Sequence, residues 1–414
     1  MALSVFAGNA VADKVTEALK EHYKPQRIKE MTYKNNPLLA LMPKYEGFGG
    51  ENMPIPLIVT GPQRRSATFD TGRTNDSTSS VKQFLLTRAR DYSFASIEHE
   101  AIKASQGNAD AFVRYATMEI DGAIHSLKRS LAVAMYRDGY GSIGTVTAEP
   151  GTGVTFTLNP IADVVNFEVG MSIVFAASNA AALRSGGART ISAINRTTGV
   201  ITVSAALDGS ILVDGSGGDL VFQAGDYVTA ADRLKVYGLE AWCPTAAPSA
   251  TTFFGVDRTA DTTRLGGNRY DGSALPIEEA LIEGASLVAR EGGAPDHVFM
   301  DFASYSNLEK ALGSKAQYDK TKSADADIGF DALVVNGPRG RMKVIPDHNC
   351  QPNVAWMLQL DTWSMNSLGA CPQILDADGN NMLRENAADA YEVRVGYYGN
   401  VACNAPGWNC RVTL

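Results

Sequence analysis

The clearest periodic pattern in the chain lies in residues 107–138, where apolar side chains recur every three or four positions. This spacing predicts a long amphipathic helix between an Asn108 cap and a Gly139 stop. A helix of about 32 residues would span roughly 48 Å. Such a helix is expected to brace an extended domain. The apolar stripe consists of Ile120, Ile124, Leu127, Leu131 and Met135.

Two strand-like segments, 51–60 and 81–97, flank a polar, turn-rich stretch at 61–80. We expect a long two-stranded hairpin with a floppy tip, and seventeen residues of strand would reach roughly 55 Å. Because an isolated two-stranded ribbon is only marginally stable in water, this hairpin is expected to lie on a neighbouring subunit and not on its own body. Two strands of an ordinary sheet joined by a disordered loop remain the alternative.

The first fifty residues divide into a helix-like segment and a stretch that holds neither helical nor strand periodicity for long. Residues 9–22 predict a short amphipathic helix. Residues 24–50 contain Pro25, Pro37, Pro43 and a glycine pair, and predict an extended arm that runs over another surface.

The composition changes at residues 141–230. These ninety residues include thirteen glycines and only ten charged side chains, and they lack Lys, His and Trp. Short apolar runs are separated by turn pairs such as Asp208-Gly209, which predicts an all-β module. Because the flanking chemistry differs, we interpret the module as an inserted domain that folds semi-independently.

The remainder of the chain mixes helices and strands. The expected elements are a helix at 276–291, a strand at 297–301, a helix at 302–312, a hairpin at 333–349, a strand at 355–365 and two strands in 391–414.

Net charge, the length of apolar runs and the lack of catalytic motifs argue against several classes of function. The 414 residues carry a net charge of −8, which argues against broad DNA binding. No apolar run is long enough for a membrane-spanning helix. The sequence lacks GxSxG, GxxxxGK[ST] and HExxH, so we expect no enzyme activity and no cofactor.

Five scattered cysteines form no CxxC pair. They do not suggest a disulfide framework or a zinc site. Residues 376–385 only partly match the spacing of a calcium loop and are better interpreted as a polar turn. We therefore expect no metal site.

The order of elements resembles the major capsid protein of tailed bacteriophages, the Hong Kong 97 fold. The stretches that carry the resemblance are YKNNPLLALMPKYEGFGGENMPIPL before and into the E-loop, PDHVFMDFASYSNLEKAL in the A-domain, GPRGRMKVIPDHNCQPNVAWMLQLDTWSM, and the closing strands YEVRVGYYGNVACNAPGWNCRVTL. The resemblance covers 1–140 and 232–414 and implies an α+β fold. Residues 141–230 depart from the minimal fold, as an insertion domain does in some family members.

The resemblance also implies a division of the chain. The expected parts are an N-terminal helix and arm at 1–50, the E-loop hairpin at 51–97, a P-domain with the spine helix at 98–140, an all-β insertion domain at 141–231, an A-domain with P-domain return strands at 232–385 and C-terminal P-domain strands at 386–414.

The function implied is structural. Copies of the chain would form hexamers and pentamers of an icosahedral head shell that encloses double-stranded DNA without sequence-specific binding. Assembly would occur in the host bacterial cytoplasm, and the mature location would be the virion. A portal protein is an implied partner, a decoration protein is a possible one, and no membrane is involved. The insertion module is expected on the outer surface.

Some family members carry a helical N-terminal extension as an internal scaffold. Only about fifty residues precede the E-loop-like strand here, so we expect a separate scaffolding protein and no N-terminal cleavage. Some members also cross-link through an E-loop lysine. The tip at 61–80 has no lysine, and no isopeptide cross-links are expected.

At the hairpin tip we expect Arg64, Arg65, Phe69 and Arg73 to contact an adjacent subunit. An ordinary ion-pairing surface is the alternative for the three arginines. For the whole chain, the alternatives are an encapsulin-type compartment shell, a phage tail or baseplate protein, and a hydrolase or lyase with an unrecognised site.

Overall fold

A computed structural model gives the structure of the chain. It describes residues 36–75, 77–100, 109–147, 153–179, 181–207, 218–227, 233–312, 333–375, 382–385 and 388–414. The helix expected at 9–22, the first part of the arm, the Asn108 cap and residues 376–381 of the polar turn lie outside the described residues. The described residues form a mixed α+β structure.

The described α-helices are α1 (Pro37–Leu41), α2 (Phe69–Thr74), α3 (Ala109–Tyr136), α4 (Leu239–Trp242), α5 (Ile277–Arg290) and α6 (Phe302–Leu312). Short 3-10 helices span Ile161–Asn166, Arg258–Ala260, Leu360–Thr362 and Pro406–Trp408.

The first ten strands are β1 (Lys44–Tyr45), β2 (Met53–Thr60), β3 (Ser80–Leu86), β4 (Ala89–Glu98), β5 (Ser142–Thr145), β6 (Thr155–Thr157), β7 (Ser172–Ala176), β8 (Arg189–Asn195), β9 (Val200–Val203) and β10 (Leu220–Gln223). The others are β11 (Asn268–Asp271), β12 (His297–Met300), β13 (Leu333–Gly337), β14 (Gly340–Pro346), β15 (Val354–Leu358), β16 (Trp363–Ser367), β17 (Gln373–Ile374), β18 (Leu383–Arg384), β19 (Ala390–Cys403) and β20 (Cys410–Thr413).

The chain divides into two compact units. The smaller contains Tyr92–Arg129 and Pro372–Gly396. In it, β17 and β18 both pair antiparallel with the first half of β19, and the backbone amide of His99 donates to Asp389 O at 2.9 Å.

The larger unit contains Asn36–Asp91, Ser130–Cys371 and Tyr397–Leu414. One of its sheets has the strand order β11-β20-β15-β12-β14-β13. Helices α5 and α6 pack on one face of this sheet. Helix α5 begins after Pro276 and ends at Arg290, and Gly292 just beyond its C-cap Glu291 has a φ of +97°, which suits glycine. The helices at 276–291 and 302–312, the strand at 297–301 and the hairpin turn at 337–340 are confirmed.

Strands β5 to β10 form a second sheet in the larger unit, with the order β5-β10-β7-β8-β9-β6. Apolar side chains of this sheet form a buried core. The core includes the T-shaped pair Phe156 and Phe175, whose ring centroids are 5.3 Å apart. The strand-rich composition therefore produces a sheet with its own buried core. The core residues are Val146, Phe156, Leu158, Val164, Phe167, Ile173, Phe175, Ile191, Ile201, Val203, Leu207 and Val221.

The long helix is confirmed as α3, with Leu127, Leu131 and Met135 buried. Gly139 follows it with φ of +91°, and a Cβ there would lie 3.2 Å from Val236 O. Glycine therefore ends this helix for both conformational and packing reasons.

Two of the strand predictions are wrong, because each predicted strand is two separate strands in the structure. The segment 81–97 breaks at 87–88 into β3 and β4, and 355–365 breaks at 359–362 into β15 and β16. At the second break, the amides of Gln359 and Leu360 donate to the side chains of Asn409 and Asp296. These bonds satisfy backbone donors that a continuous strand would have placed in a ladder.

The arm interpretation is also wrong for residues 36–50. Helix α1 and strand β1 interrupt the arm, and β1 pairs parallel with β16. Leu38, Met42 and Phe48 are buried in the same chain. This part of the arm therefore contributes to its own unit's core.

Candidate assembly surface

The hairpin β2–β3 has one buried face and one exposed face. Ile55 and Phe84 are opposite each other in the register, and both are buried. Val59 and Leu86 are also buried on this inner face. The hairpin spans eight and seven residues, so its reach is about 25 Å, about half the length that the sequence suggested.

An aromatic cluster holds the inner face. The Phe84 ring lies 5.1 Å from Trp242 and 6.1 Å from Phe253, both in T-shaped geometry. The residues Phe254 and Gly255 make a two-residue turn in which both φ angles are positive, +46° and +81°. The amide of Leu85 donates to Phe254 O at 2.9 Å, so this turn continues the hydrogen bonding of β3.

A buried arginine completes the cluster. The guanidinium of Arg258 lies 4.0 Å from the Phe253 ring centroid and donates to the carbonyl oxygens of Ala241 and Trp242. Burial lowers the pKa of Arg258 to about 10. The side chain is therefore still protonated at neutral pH and fixes the aromatic rings through a cation–π contact.

Three further side chains hold the hairpin: Asn400 and Arg88 at its root, and Arg264 at the end of β2 that adjoins the tip. Arg264 Nη1 donates to Val59 O at 2.6 Å, and Asn400 Nδ2 donates to Thr87 O at 3.0 Å. Arg88 Nη1 donates to Phe48 O at 2.9 Å, and the guanidinium carbon of Arg88 lies 5.2 Å from the Phe48 ring centroid. We call Arg88 and Asn400 the root anchors.

The expectation that the hairpin rests on a neighbour and not on its own body is therefore wrong for its inner face. The aromatic cluster supplies the core that the ribbon lacks. Sequence reasoning missed both this cluster and the root anchors. The one local signal was Phe253-Phe254-Gly255, a glycine turn among aromatic residues.

The outer face of the hairpin is apolar and exposed. Ile58 and Val81, opposite each other in the register, are 71% and 57% exposed, and Leu85 on the same face is also exposed. Isolated exposed apolar residues are ordinary, whereas these three share one face of a two-stranded ribbon.

The structure places the four predicted tip residues together in the connection between β2 and β3. Arg64, Arg65, Phe69 and Arg73 are all exposed, and Phe69 is 84% exposed at the start of α2. Arg64 Nε reaches Ser77 O at 3.4 Å. The tip is not floppy throughout, because α2 and the bond between Thr68 Oγ1 and Thr71 Oγ1 organise it.

The net charge of the hairpin is opposite in sign to the net charge of the rest of the chain. Residues 53–86 carry four basic and two acidic side chains, a net charge of +2. Since the whole chain carries −8, the remainder carries −10. Opposite charges favour contact between the hairpin of one copy and the body of another, and they disfavour contact between two hairpins.

A buried ionic network lies beside the β5–β10 sheet. Lys235 Nζ is 2.6 Å from Asp91 Oδ2 and 2.8 Å from Asp226 Oδ2, and it also reaches Ser130 Oγ at 3.0 Å. Burial alone would lower the pKa of Lys235, but the two carboxylates outweigh it and hold this pKa above its usual value. Burial raises the pKa of Asp226, and Lys235 offsets only part of that rise.

Four of the five cysteines are buried and all five are free thiols. Burial raises the pKa of Cys243 to about 12, so this thiol is protonated at neutral pH.

Within the described ranges, no three His, Cys, Asp or Glu side chains come together as a metal site. None of the helices in those ranges is long and apolar enough to span a membrane.

Comparison with known proteins gives a family match. Residues 220–389 match the model of the SU10 major capsid protein. Among curated proteins, none matches the chain.

Solved structures provide the fold comparison. The chain resembles the capsid asymmetric unit of cyanophage A-1(L) with a TM-score of 0.55 at 12% identity, covering 95% of this chain and 97% of that one. The native GTA particle capsid gives a TM-score of 0.48 at 8% identity and 99% coverage of both chains. Mycobacterium phage Ogopogo gives 0.44 at 12% identity, with 98% and 99% coverage. Because the last two scores are below 0.5, the fold assignment rests on the cyanophage capsid.

The fold is therefore that of a phage capsid protein. With the family match, the resemblance to a phage major capsid protein is confirmed: the chain is a coat protein of a phage head shell. Its place is the capsid shell of the virion, and its role is structural.

Proposed function

We propose that this coat protein has the Hong Kong 97 arrangement, with an E-loop formed by β2 and β3, a spine helix formed by α3 and an A-domain built on α5 and α6. On this proposal, copies form the hexamers and pentamers of an icosahedral shell around double-stranded DNA. A portal protein and a separate scaffolding protein are proposed partners, and assembly takes place in the host cytoplasm.

The observation that carries the proposal is the division of the hairpin into a held inner face and a free outer face with an exposed tip. The aromatic cluster and the root anchors fix the hairpin's base to its own subunit, and Arg264 fixes the other end of β2. The outer face and the tip stay available for an adjacent subunit, where Arg64, Arg65, Phe69 and Arg73 would make contact. A head-to-tail contact of this kind can close into rings.

Replacing residues 62–79 by a short Gly-Ser linker tests this role. The variant is expected to give a folded subunit, because the inner face keeps its contacts, but no stable shells by electron microscopy. The matched control is the same linker placed between α5 and β12, at 293–295, which leaves the hairpin intact. Normal shells from the tip variant would contradict the proposal.

The sheet of residues 142–223 is proposed as an insertion domain on the outer surface, where a decoration protein could reach it. Its own core supports independent folding. Cryo-electron microscopy of assembled shells would test the placement, and density for this sheet inside the shell would overturn it.

Two assembly properties follow from the same proposal. Denaturing gels of mature particles should show one band near 44 kDa, since no lysine lies in the tip. Closed shells from this gene expressed alone would contradict the need for a separate scaffolding protein.

A further inference from the structure

The hydrogen-bond register of the hairpin determines which of its edges could accept another strand. Pro54 and Pro56 lie on β2 opposite Leu85 and Gln83. Because proline has no N–H, these two pairs cannot exchange ladder hydrogen bonds. The ladder bonds must therefore belong to the alternating pairs, among them Ile55 and Phe84.

The amides at alternate positions then point away from the ladder. On β3, this direction is confirmed by Leu85, whose amide donates to Phe254 O on the side away from β2. On the open edge of β2, the corresponding positions are 54, 56 and 58. Two of these three positions are prolines, so the edge lacks most of the donors that strand addition requires.

We infer that the hairpin contacts a second copy of this chain through the outer side-chain face formed by Ile58, Val81 and Leu85, while Pro54 and Pro56 close the free edge of β2 against strand addition. This inference rests on the proposed role of the hairpin in assembly. The second copy is the occupant because the hairpin carries +2 and the remainder of the chain carries −10.

The exposed apolar face of the hairpin and the proline-containing edge of β2 have complementary effects on association. An exposed apolar face on a two-stranded ribbon favours association, and an open edge would let hairpins associate with one another without limit. The closed edge and the like charge of two hairpins both disfavour that pairing. The apolar face then remains for contact with the acidic body of another copy.

The first experiment replaces the outer face. Ile58→Thr combined with Val81→Thr should leave the unfolding curve of the subunit unchanged, because both side chains are exposed, and should reduce the yield of shells at least tenfold under fixed assembly conditions. The matched control is Val169→Thr, at a 62% exposed position in the β5–β10 sheet region, which should assemble as the natural protein does. Unchanged shell yield from the hairpin variant, or an equal loss from the control, would overturn the face contact.

Chemical labelling tests the same outer-face contact while most of the apolar face is kept. The variant Ile58→Cys should react with a maleimide in free subunits and at least tenfold more slowly in shells. Equal rates in the two states would overturn the contact, even if a threonine variant failed to fold.

The second experiment opens the edge. Pro54→Val combined with Pro56→Val should raise the aggregation rate of unassembled subunits at least tenfold by light scattering, with thioflavin binding. Gln83→Val adds the same side chain to the same face without a new edge donor, and should aggregate at the natural rate. Equal aggregation of the proline variant and the natural protein would overturn the edge inference.

The tip variant separates this inference from the proposed function. If the variant with the linker at 62–79 forms normal shells, the assembly role of the hairpin is wrong. If that variant fails while the Ile58/Val81 variant assembles normally, the role stands and only the outer-face contact is wrong.

Discussion

Lys235 Nζ lies 2.6 Å from Asp91 Oδ2 inside the larger unit, and its other carboxylate partner is Asp226 at 2.8 Å. One ammonium therefore stabilises two buried carboxylates from different parts of the sequence. Removing one member of a buried ionic network leaves an uncompensated charge, which costs more than losing an exposed ion pair.

We predict that Lys235→Met lowers the free energy of unfolding by about 3 kcal/mol at neutral pH. Chemical denaturation of the subunit measures this loss. Lys82→Met, at an exposed position of the hairpin, is the control and should change stability by less than about 0.5 kcal/mol.

The same substitution should make stability depend on pH. The pKa of Asp226 is already raised by burial, and loss of the ammonium would raise it further. A carboxyl group whose pKa is raised by folding favours the folded state at low pH, and this contribution is lost as the pH rises through the folded pKa. The deficit of Lys235→Met should therefore be larger at pH 8 than at pH 5, and an equal deficit at both would contradict this electrostatic account.

Phe84→Ala should detach the hairpin's inner face from the aromatic cluster. Deleting a fully buried phenyl ring costs about 3 kcal/mol or more, and Phe84 contacts both Trp242 and Phe253. Urea denaturation should show that loss. Val81→Ala on the outer face of the same strand should cost less than about 0.5 kcal/mol, and similar losses from the two variants would argue against the difference between the faces.

Replacing Gly238 or Gly122 by alanine should change the stability of the subunit in opposite directions. A Cβ at Gly238 would lie 2.3 Å from the carbonyl oxygens of Ala134 and Met135, so Gly238→Ala should lower the melting temperature. Gly122, inside α3, has open space around its Cβ position, so Gly122→Ala should raise stability by up to about 1 kcal/mol. Thermal unfolding of both variants checks the prediction.

Thiol titration should distinguish one cysteine from the other four. Cys243, Cys350, Cys403 and Cys410 are buried, whereas Cys371 is partly exposed. Burial raises the pKa of Cys371 to about 12, so even this thiol should react slowly at pH 8 because little thiolate is present. The folded subunit should show one slow thiol and the denatured chain should show five; rapid reaction of more than one in the folded subunit would contradict the burial.

The sequence predicted the elements that depend on local pattern. The stripe of α3, the stop at Gly139, the helix α5 and the turn between β13 and β14 all follow from periodicity or glycine chemistry. These features are set by residues close in the chain, which is why they could be recognised.

The missed features depend on residues distant in sequence. The strand at 355–365 divides because Asn409 and Asp296 capture its backbone amides. The hairpin is held at its root by Asn400 and at the tip end of β2 by Arg264, each more than 200 positions from the carbonyl it binds. No local pattern announces such partners, so the hairpin's held face could not be predicted, whereas its exposed tip could.

Arg264 and the root anchors share one chemical property: each binds a main-chain carbonyl, at Val59, Thr87 or Phe48. A carbonyl oxygen is present whatever side chain the residue carries. Substitutions at Val59 and Thr87 would therefore leave these hydrogen bonds matched, provided that the backbone keeps its path. The hairpin could drift in sequence over evolutionary time, and so adapt to a changing neighbour, while it remains attached to the same body by the same three side chains.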